Sequence, residues 1–332
     1  MQRRKFLKNA VITGSAVWMA RSLQAANLQI TGGVGAGKRV GIIGLDSSHS
    51  VAFTQMLNAA GSDTRYNGYK VTAAYPYGSR AIESSFQRIA GYTAQVKSMG
   101  VTVCDSLDGL LEQVDCVLLE TNDGRLHPDQ ASQVFESRKP VFIDKPLGAD
   151  LKQVEAVFTS AEKFGSTFFT SSALRYTNAI TALRSNGLEK IKGVSTFSPC
   201  TVEKSHEDLY WYGIHGVEML IALMGAGCAT VQAAHTENTD FATGIWEDGR
   251  VGTFRGMRDG FNTFGGTAFT QAGIIPLDDF QGYEGLLQAI TGYFASGKVP
   301  VPLQETKEIY AFMSAFQQSR KKGGKPVKLH RF

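Results

Sequence analysis

The sequence predicts an α/β chain in two parts. An N-terminal parallel sheet carries helices on both faces, and an α+β part with an open, mainly antiparallel sheet follows. Three observations carry this. Residues 39–60 read as strand, tight turn and helix. Apolar strands and helices alternate from there to about residue 170, the pattern of a parallel, doubly wound sheet. Beyond about residue 190, strands follow one another without helices between them, which calls for hairpins. The 332 residues, 43% hydrophobic and 19% charged, suffice for two sizeable cores. No apolar run reaches the ~18 residues of a membrane-spanning helix.

The chain opens MQRRKFLKNAVITGSAVWMARSLQAA. Arg3 and Arg4, then Phe6, Leu7 and Lys8, a moderately apolar stretch and small residues near Ala25 resemble a twin-arginine export signal. The expectation is an exported, periplasmic protein that meets the twin-arginine machinery already folded. Residues 1–35 are read as signal and glycine-rich linker. GGVGAGK, at 32–38, lacks the preceding strand of a P-loop. The signal holds Arg3, Arg4, Lys5, Lys8 and Arg21 and no acid. Without it the formal +4 becomes 29 basic against 30 acidic residues, which leaves no electrostatic footprint for nucleic acid. Cys104, Cys116, Cys200 and Cys228 lie far apart without a C-x-x-C pair, so no metal site or disulfide framework is expected.

Residues 36–170 are read as a dinucleotide-binding part. In RVGIIGLDSSHS the apolar run Val40, Ile42, Ile43 meets Gly44. The helix beyond presents Phe53, Met56, Leu57 and Ala60 at i, i+3, i+4 and i+7. A Rossmann unit begins this way. Of its G-x-G-x-x-G fingerprint only Gly44 survives, however, and Asp46 and His49 stand at the other glycine positions. A carboxylate ~5 Å from a pyrophosphate charge costs a few kcal/mol at an effective dielectric near 20. Either Asp46 turns away to cap the helix, or the loop binds no dinucleotide. Ser47, Ser48 and His49 still offer donors at the helix start.

A second strand is expected over 69–75. An acid usually holds the ribose hydroxyls at this strand end, and none is present. Ser79 and Arg80 are placed to receive a 2′-phosphate instead, which tilts the cofactor from NAD toward NADP. Arg80 reads equally as a solvated helix-start residue. Strands over 101–104, 114–120 and 141–143 follow, with a helix starting at Leu107 and Pro128 in the first turn of another. Asp150 caps a helix that turns Leu151, Val154, Phe158 and Ala161 inward and closes at Gly165. Gly44, Asp123 and Lys145 all fall beyond strand carboxyl ends, where such sheets bind ligands.

Residues 171–332 are read as a substrate and oligomerisation part. Strands are expected over 194–198, 230–236, 241–246, 250–255 and 267–275, with a hairpin turn at Glu247, Asp248 and Gly249. Helices near 207–224, 282–294 and 305–320 are expected to back this sheet. Its other face is the expected homo-oligomer surface.

FIDKP at 142–146, YGIHGVEML at 212–220 and His127 opening the helix after the fourth strand together resemble the Gfo/Idh/MocA family of oxidoreductases. The resemblance covers nearly the whole chain beyond the signal. A GLDSSH first loop and DGR before His127 mark a branch of it. The resemblance implies bound NAD or NADP and hydride transfer from a sugar or polyol hydroxyl, or the reverse. It implies that Lys145 contacts substrate and nicotinamide ribose, that His215 is the general acid/base, and that Asp123, His127 and Asp144 lie on the cofactor side. Many members carry an aspartate four residues before the histidine. Here that position is Trp211, so Tyr212, one helical turn from His215, is the substitute. Glu218 is expected to hold the imidazole tautomer, and Arg175 in SSALRY either to face substrate oxygens with Glu218 and Trp211 or to make a structural ion pair. Two other readings stay open. One is a lyase or glycosidase that recycles a bound NAD. The other is a non-catalytic carbohydrate-binding protein, suggested by Asp46, His49 and Trp211.

Overall fold

The computed structural model describes residues 37–260 and 263–332. The expected signal and linker lie outside the described residues. The first part contains β1 (Arg39–Ile43), α1 (Ser48–Asn58), β2 (Lys70–Tyr75), α2 (Glu83–Ser98), β3 (Thr102–Val103), α3 (Leu107–Leu111), β4 (Cys116–Leu119), α4 (His127–Glu136), β5 (Val141–Ile143), α5 (Leu151–Phe164) and β6 (Phe168–Phe169). The six strands form one parallel sheet in the order β3-β2-β1-β4-β5-β6. The order reverses between β1 and β4, which opens a crevice at their carboxyl ends. β4 and β5 are buried on both faces, as their unbroken apolar runs require. α1 stops at Asn58, so Phe53 and Leu57 are buried while Ala60 lies exposed beyond the helix. Asp150 caps α5 by accepting from the Gln153 N–H, and Gly165 closes it in the left-handed region.

The second part contains α6 (Asn178–Ser185), β7 (Ile191–Pro199), α7 (Asp208–Trp211), α8 (Ile214–Met224), β8 (Cys228–His235), β9 (Thr239–Trp246), β10 (Val251–Met257), β11 (Gly265–Thr270), β12 (Gly273–Leu277), α9 (Glu284–Ser296), α10 (Leu303–Lys321) and β13 (Val327–Lys328). Seven strands form a mixed sheet, β12-β11-β7-β10-β9-β8-β13, antiparallel except for β7 beside β10. The β9–β10 turn falls at Glu247, Asp248 and Gly249, where Trp246 N–H donates to the Arg250 carbonyl. α8 and α10 cover one face: Thr196 donates to the Gly216 carbonyl, and Trp246 packs on Phe312. The other face leaves Ile245, Val251, Phe269 and Ile274 exposed.

Three expectations change. The segment 267–275 is a hairpin rather than one strand: Phe269 pairs with Ile274 across a turn held by Thr270 Oγ1. The helix expected over 207–224 breaks at Tyr212, whose φ of −125° is not helical. And α9 does not back the second sheet. Leu286, Leu287, Ile290, Tyr293 and Phe294 join Val40, Phe53, Leu57 and Phe169 in the core beneath the first sheet. The late chain thus returns to the dinucleotide-type part and closes one side of the crevice.

Candidate active site

A cleft of about 690 Å³ lies where the two sheets meet. Three loops of the parallel sheet supply one wall. After β1, Gly44 has φ +90°, and a Cβ there would meet the Thr121 N at 2.5 Å, so only glycine lets β1 and β4 approach this closely. Asp46 follows and is fully buried. Its carboxylate accepts from the Ser79 N–H at 2.8 Å and the Asn122 N–H at 3.0 Å, tying together the loops after β1, β2 and β4. It therefore turns away from the cleft, but it does not cap α1. Ser47 does, accepting from the His49 N–H. Ser47, Ser48 and His49 line the cleft at the start of α1, whose first amides suit an anion.

Ser79 and Arg80 do not form a phosphate pocket. Ser79 is buried and its hydroxyl donates to Asp123 at 2.7 Å, while the exposed Arg80 guanidinium lies over Tyr77. Asp123 is likewise committed. Against the effect of burial, hydrogen bonds from Arg125 and Ser79 hold its pKa below the ordinary range. Ser84, Gln87 and Arg88 of α2 reach the cleft instead, and no periodic or motif signal marks them.

The DKP loop after β5 is held at every residue. Asp144 N–H donates to the Leu119 carbonyl, Lys145 N–H to Asp144 Oδ1 at 2.8 Å, and Leu147 N–H to the Tyr310 hydroxyl at 2.8 Å. His127 is fully buried, with Nδ1 2.8 Å from the Pro146 carbonyl and Nε2 2.7 Å from the Thr121 carbonyl. It acts as a clamp beneath the loop and does not touch the cleft. Lys145 is thereby fixed with Nζ over the Tyr212 ring, 5.5 Å from its centroid. Among the described residues that ammonium has no hydrogen-bond partner. Burial pushes its pKa down, while Asp144, Glu120 and Glu218 pull the other way.

The opposite wall comes from α7, α8 and the loop after β6. Apart from His215 and Glu218, α8 is apolar all round, and His215 is its one residue that is not buried. His215 Nδ1 lies 2.7 Å from the Ser172 hydroxyl, and Nε2 has no hydrogen-bond partner among the described residues. Burial, then the nearby Lys145 charge, push its pKa well below 6.5, so the ring is neutral at pH 7. Tyr212 stands edge-on to this ring, 5.3 Å between centroids, and Trp211, Phe264, Phe280 and Tyr283 complete an aromatic rim.

Glu218 and Arg175 lie behind this wall. Glu218 does not touch the imidazole. Its carboxylate accepts from Ser171 Oγ at 2.6 Å, the Ser172 N–H at 2.8 Å and Arg175 Nε at 2.8 Å. Arg175 also pairs with Glu305 at 2.5 Å and is 4% exposed, so it cannot reach a substrate. The pair fixes the Ser171–Ser172 turn, and Ser172 in turn holds His215. The four cysteines are buried and free.

Residues 38–172 match the family model described as the Gfo/Idh/MocA oxidoreductase family, NAD-binding Rossmann fold. No curated protein gives a significant sequence match. Solved structures of similar fold include a probable dehydrogenase from Thermotoga maritima, with a TM-score of 0.70 and 17% identity over 87% of this chain and 98% of that one. Myo-inositol 2-dehydrogenase from Lactobacillus plantarum gives 0.69 and 17%, over 89% and 100%. Myo-inositol dehydrogenase from Lactobacillus casei, in complex with NAD(H) and myo-inositol, gives 0.69 and 15%, over 90% and 98%. At these identities the structures establish the shared fold across both parts, and the family match covers the parallel sheet and its loops. Over residues 38–172, less than half of its length, the chain is similar to the Gfo/Idh/MocA oxidoreductase family, NAD-binding Rossmann fold.

Proposed function

We propose that the protein is an exported NAD(P)-dependent oxidoreductase that transfers hydride to or from a CH–OH carbon of a sugar, polyol or related carbohydrate. The observation that carries this is the convergence of Lys145, beyond β5, and His215, on α8, on one cleft beside the α1 start. The loop fits a dinucleotide: Gly44 allows the tight turn, Ser47 and Ser48 face the cleft, and the Asp46 charge is turned away and bonded. Ser47, Ser48 and the first amides of α1 would hold its pyrophosphate. A bound nicotinamide would supply the hydride acceptor.

The chain's own residues do the rest. The Lys145 ammonium, unpartnered and fixed, holds the substrate oxygen and stabilises negative charge developing there. His215, neutral at rest, takes the hydroxyl proton at Nε2. Ser172 can donate to or accept from Nδ1, so it follows the ring through both protonation states. The aromatic rim around Trp211 and Tyr212 gives apolar faces to pack on a sugar ring and excludes water. The same reading includes export through the twin-arginine segment and a homo-oligomer built on the exposed sheet face. It leaves NAD and NADP as alternatives.

Tyr212 against both His215 and the Lys145 ammonium favours one second reading, a lyase or glycosidase that re-reduces what it oxidises. Incubation with NAD or NADP and a panel of polyols and sugars separates the two. The main reading expects stoichiometric reduced cofactor with one substrate class. Turnover without net reduced cofactor supports the second, and no turnover with any cofactor and substrate pair contradicts both.

A further inference from the structure

At the floor of the cleft, three groups from separate strand ends meet. His49 comes from the first turn of α1, Glu120 follows β4 and Asp144 follows β5. His49 Nδ1 lies 2.9 Å from Asp144 Oδ2 and 3.5 Å from Glu120 Oε2. One donor atom from each residue falls within 4.8 Å of the other two. Glu120 has no solvent exposure, yet among the described residues neither of its carboxylate oxygens has a hydrogen-bond partner. His49 Nδ1 also lacks a well-aligned hydrogen bond despite its close contact with Asp144. A buried carboxylate with two unused oxygens, aimed at an imidazole nitrogen and a second carboxylate, is an incomplete arrangement for a protein interior.

We infer that His49, Glu120 and Asp144 form a binding site for a divalent transition-metal ion, Mn²⁺ or Zn²⁺, with its open side toward the cleft. The spacing suits it. Ligands about 2.1 Å from a common ion stand roughly 3.0–3.4 Å from one another, so the two His49 contacts need only small adjustment. The donor set, one imidazole and two carboxylates, favours Mn²⁺ or Zn²⁺ over the harder Mg²⁺ and Ca²⁺. Three protein ligands leave positions for water or for an oxygen of a cleft ligand, the arrangement of an open rather than a closed site. Phe53 stacks on the His49 ring at 5.2 Å and Tyr283 meets it edge-on at 4.8 Å, which fixes the ring plane and hence the nitrogen's direction. This site shares the cleft of the proposed dehydrogenase, but its occupancy is read directly and does not depend on that activity.

The test is titration calorimetry of the chelator-treated full chain with Mn²⁺ alone and with Zn²⁺ alone, near pH 7.5, beside metal analysis of the protein as purified. The expected result is one equivalent of saturable binding. Glu120→Gln and His49→Gln should each weaken it by more than the roughly 10–100-fold that loss of an outer-shell partner costs. Circular dichroism establishes that each variant is folded. If Glu120→Gln does not fold, His49→Gln stands alone, and Mn²⁺ broadening of the His49 ring resonances in the unmodified protein gives an answer that needs no variant. Absence of saturable binding, binding that persists in a folded variant, or broadening that misses His49 overturns the inference. The cluster is then a proton-held ion pair, or the ion is adventitious.

Discussion

Asp46 occupies a fingerprint position where a dinucleotide loop normally carries glycine, so Asp46→Gly tests whether it is a defect or a device. The structure makes it a device. Its carboxylate is the acceptor for two backbone amides 33 and 76 residues away. Removing it orphans both donors in a place with no solvent exposure for Asp46 itself. Hydrogen bonds to a charged group contribute about 1.5–3 kcal/mol each. Part of that is offset, because burial raises the Asp46 pKa while the Ser79 and Asn122 amides and Arg88 lower it, so the ionised form is held at a cost. A net loss of about 2–4 kcal/mol follows, with a further fraction from the added glycine flexibility. Asp46→Asn keeps one acceptor and should lose about half as much. The assay is urea unfolding at 25 °C alongside NAD and NADP titration. Nucleotide affinity should fall in Asp46→Gly, since the loop loses its anchors. Unchanged stability together with tighter nucleotide binding would refute this account of the loop.

Other outcomes follow from the same geometry. Lys145→Met should lower kcat/KM by about 100-fold or more with the fold retained, as judged by circular dichroism, because the ammonium makes no hydrogen bond among the described residues. The His215 pKa lies well below 6.5, so the neutral base persists as pH falls; the acid limb of kcat/KM should therefore appear below pH 6.5 and vanish in His215→Asn. The same shift means that His215 stabilises the fold above the unfolded value near 6.5 and that this contribution is lost as pH falls toward the folded pKa. Arg175→Met leaves Glu218 and Glu305 without their shared buried cation and should cost about 3–5 kcal/mol in urea unfolding. If Arg175 were a substrate contact instead, KM would rise with stability unchanged.

Much of this fold is written locally. Apolar runs ending at Gly44 and at Asp144 mark β1 and β5, and the Asp150 cap and Gly165 stop bracket α5. FIDKP and the helix histidine placed Lys145 and His215 on the cleft. What local pattern could not give is partnership across distance. Glu218 sits one turn beyond His215 and reads as its partner, yet Ser172 holds that ring, because Glu218 is drawn behind by Arg175. The apolar pattern runs straight through Tyr212 and Gly213, which hid the helix break. Gln271 and Ala272 lack strong turn character, so the segment reads as one long strand where a hairpin forms. α9 is amphipathic toward any core, and sequence does not say which sheet it covers. Glu120 closes the strand read over 114–120, and nothing in that run marks it as part of a site; only the fold sets it beside His49 and Asp144.

The proposed function requires this cleft to bind a nicotinamide dinucleotide despite Asp46 and His49. Mass spectrometry of the small molecules released from freshly purified protein, with calorimetric titration of NAD and NADP into the stripped chain, tests it most directly. The expected result is one nucleotide per chain, with binding weakened in Asp46→Gly. Protein that releases no nucleotide and shows no heat with either one would contradict it.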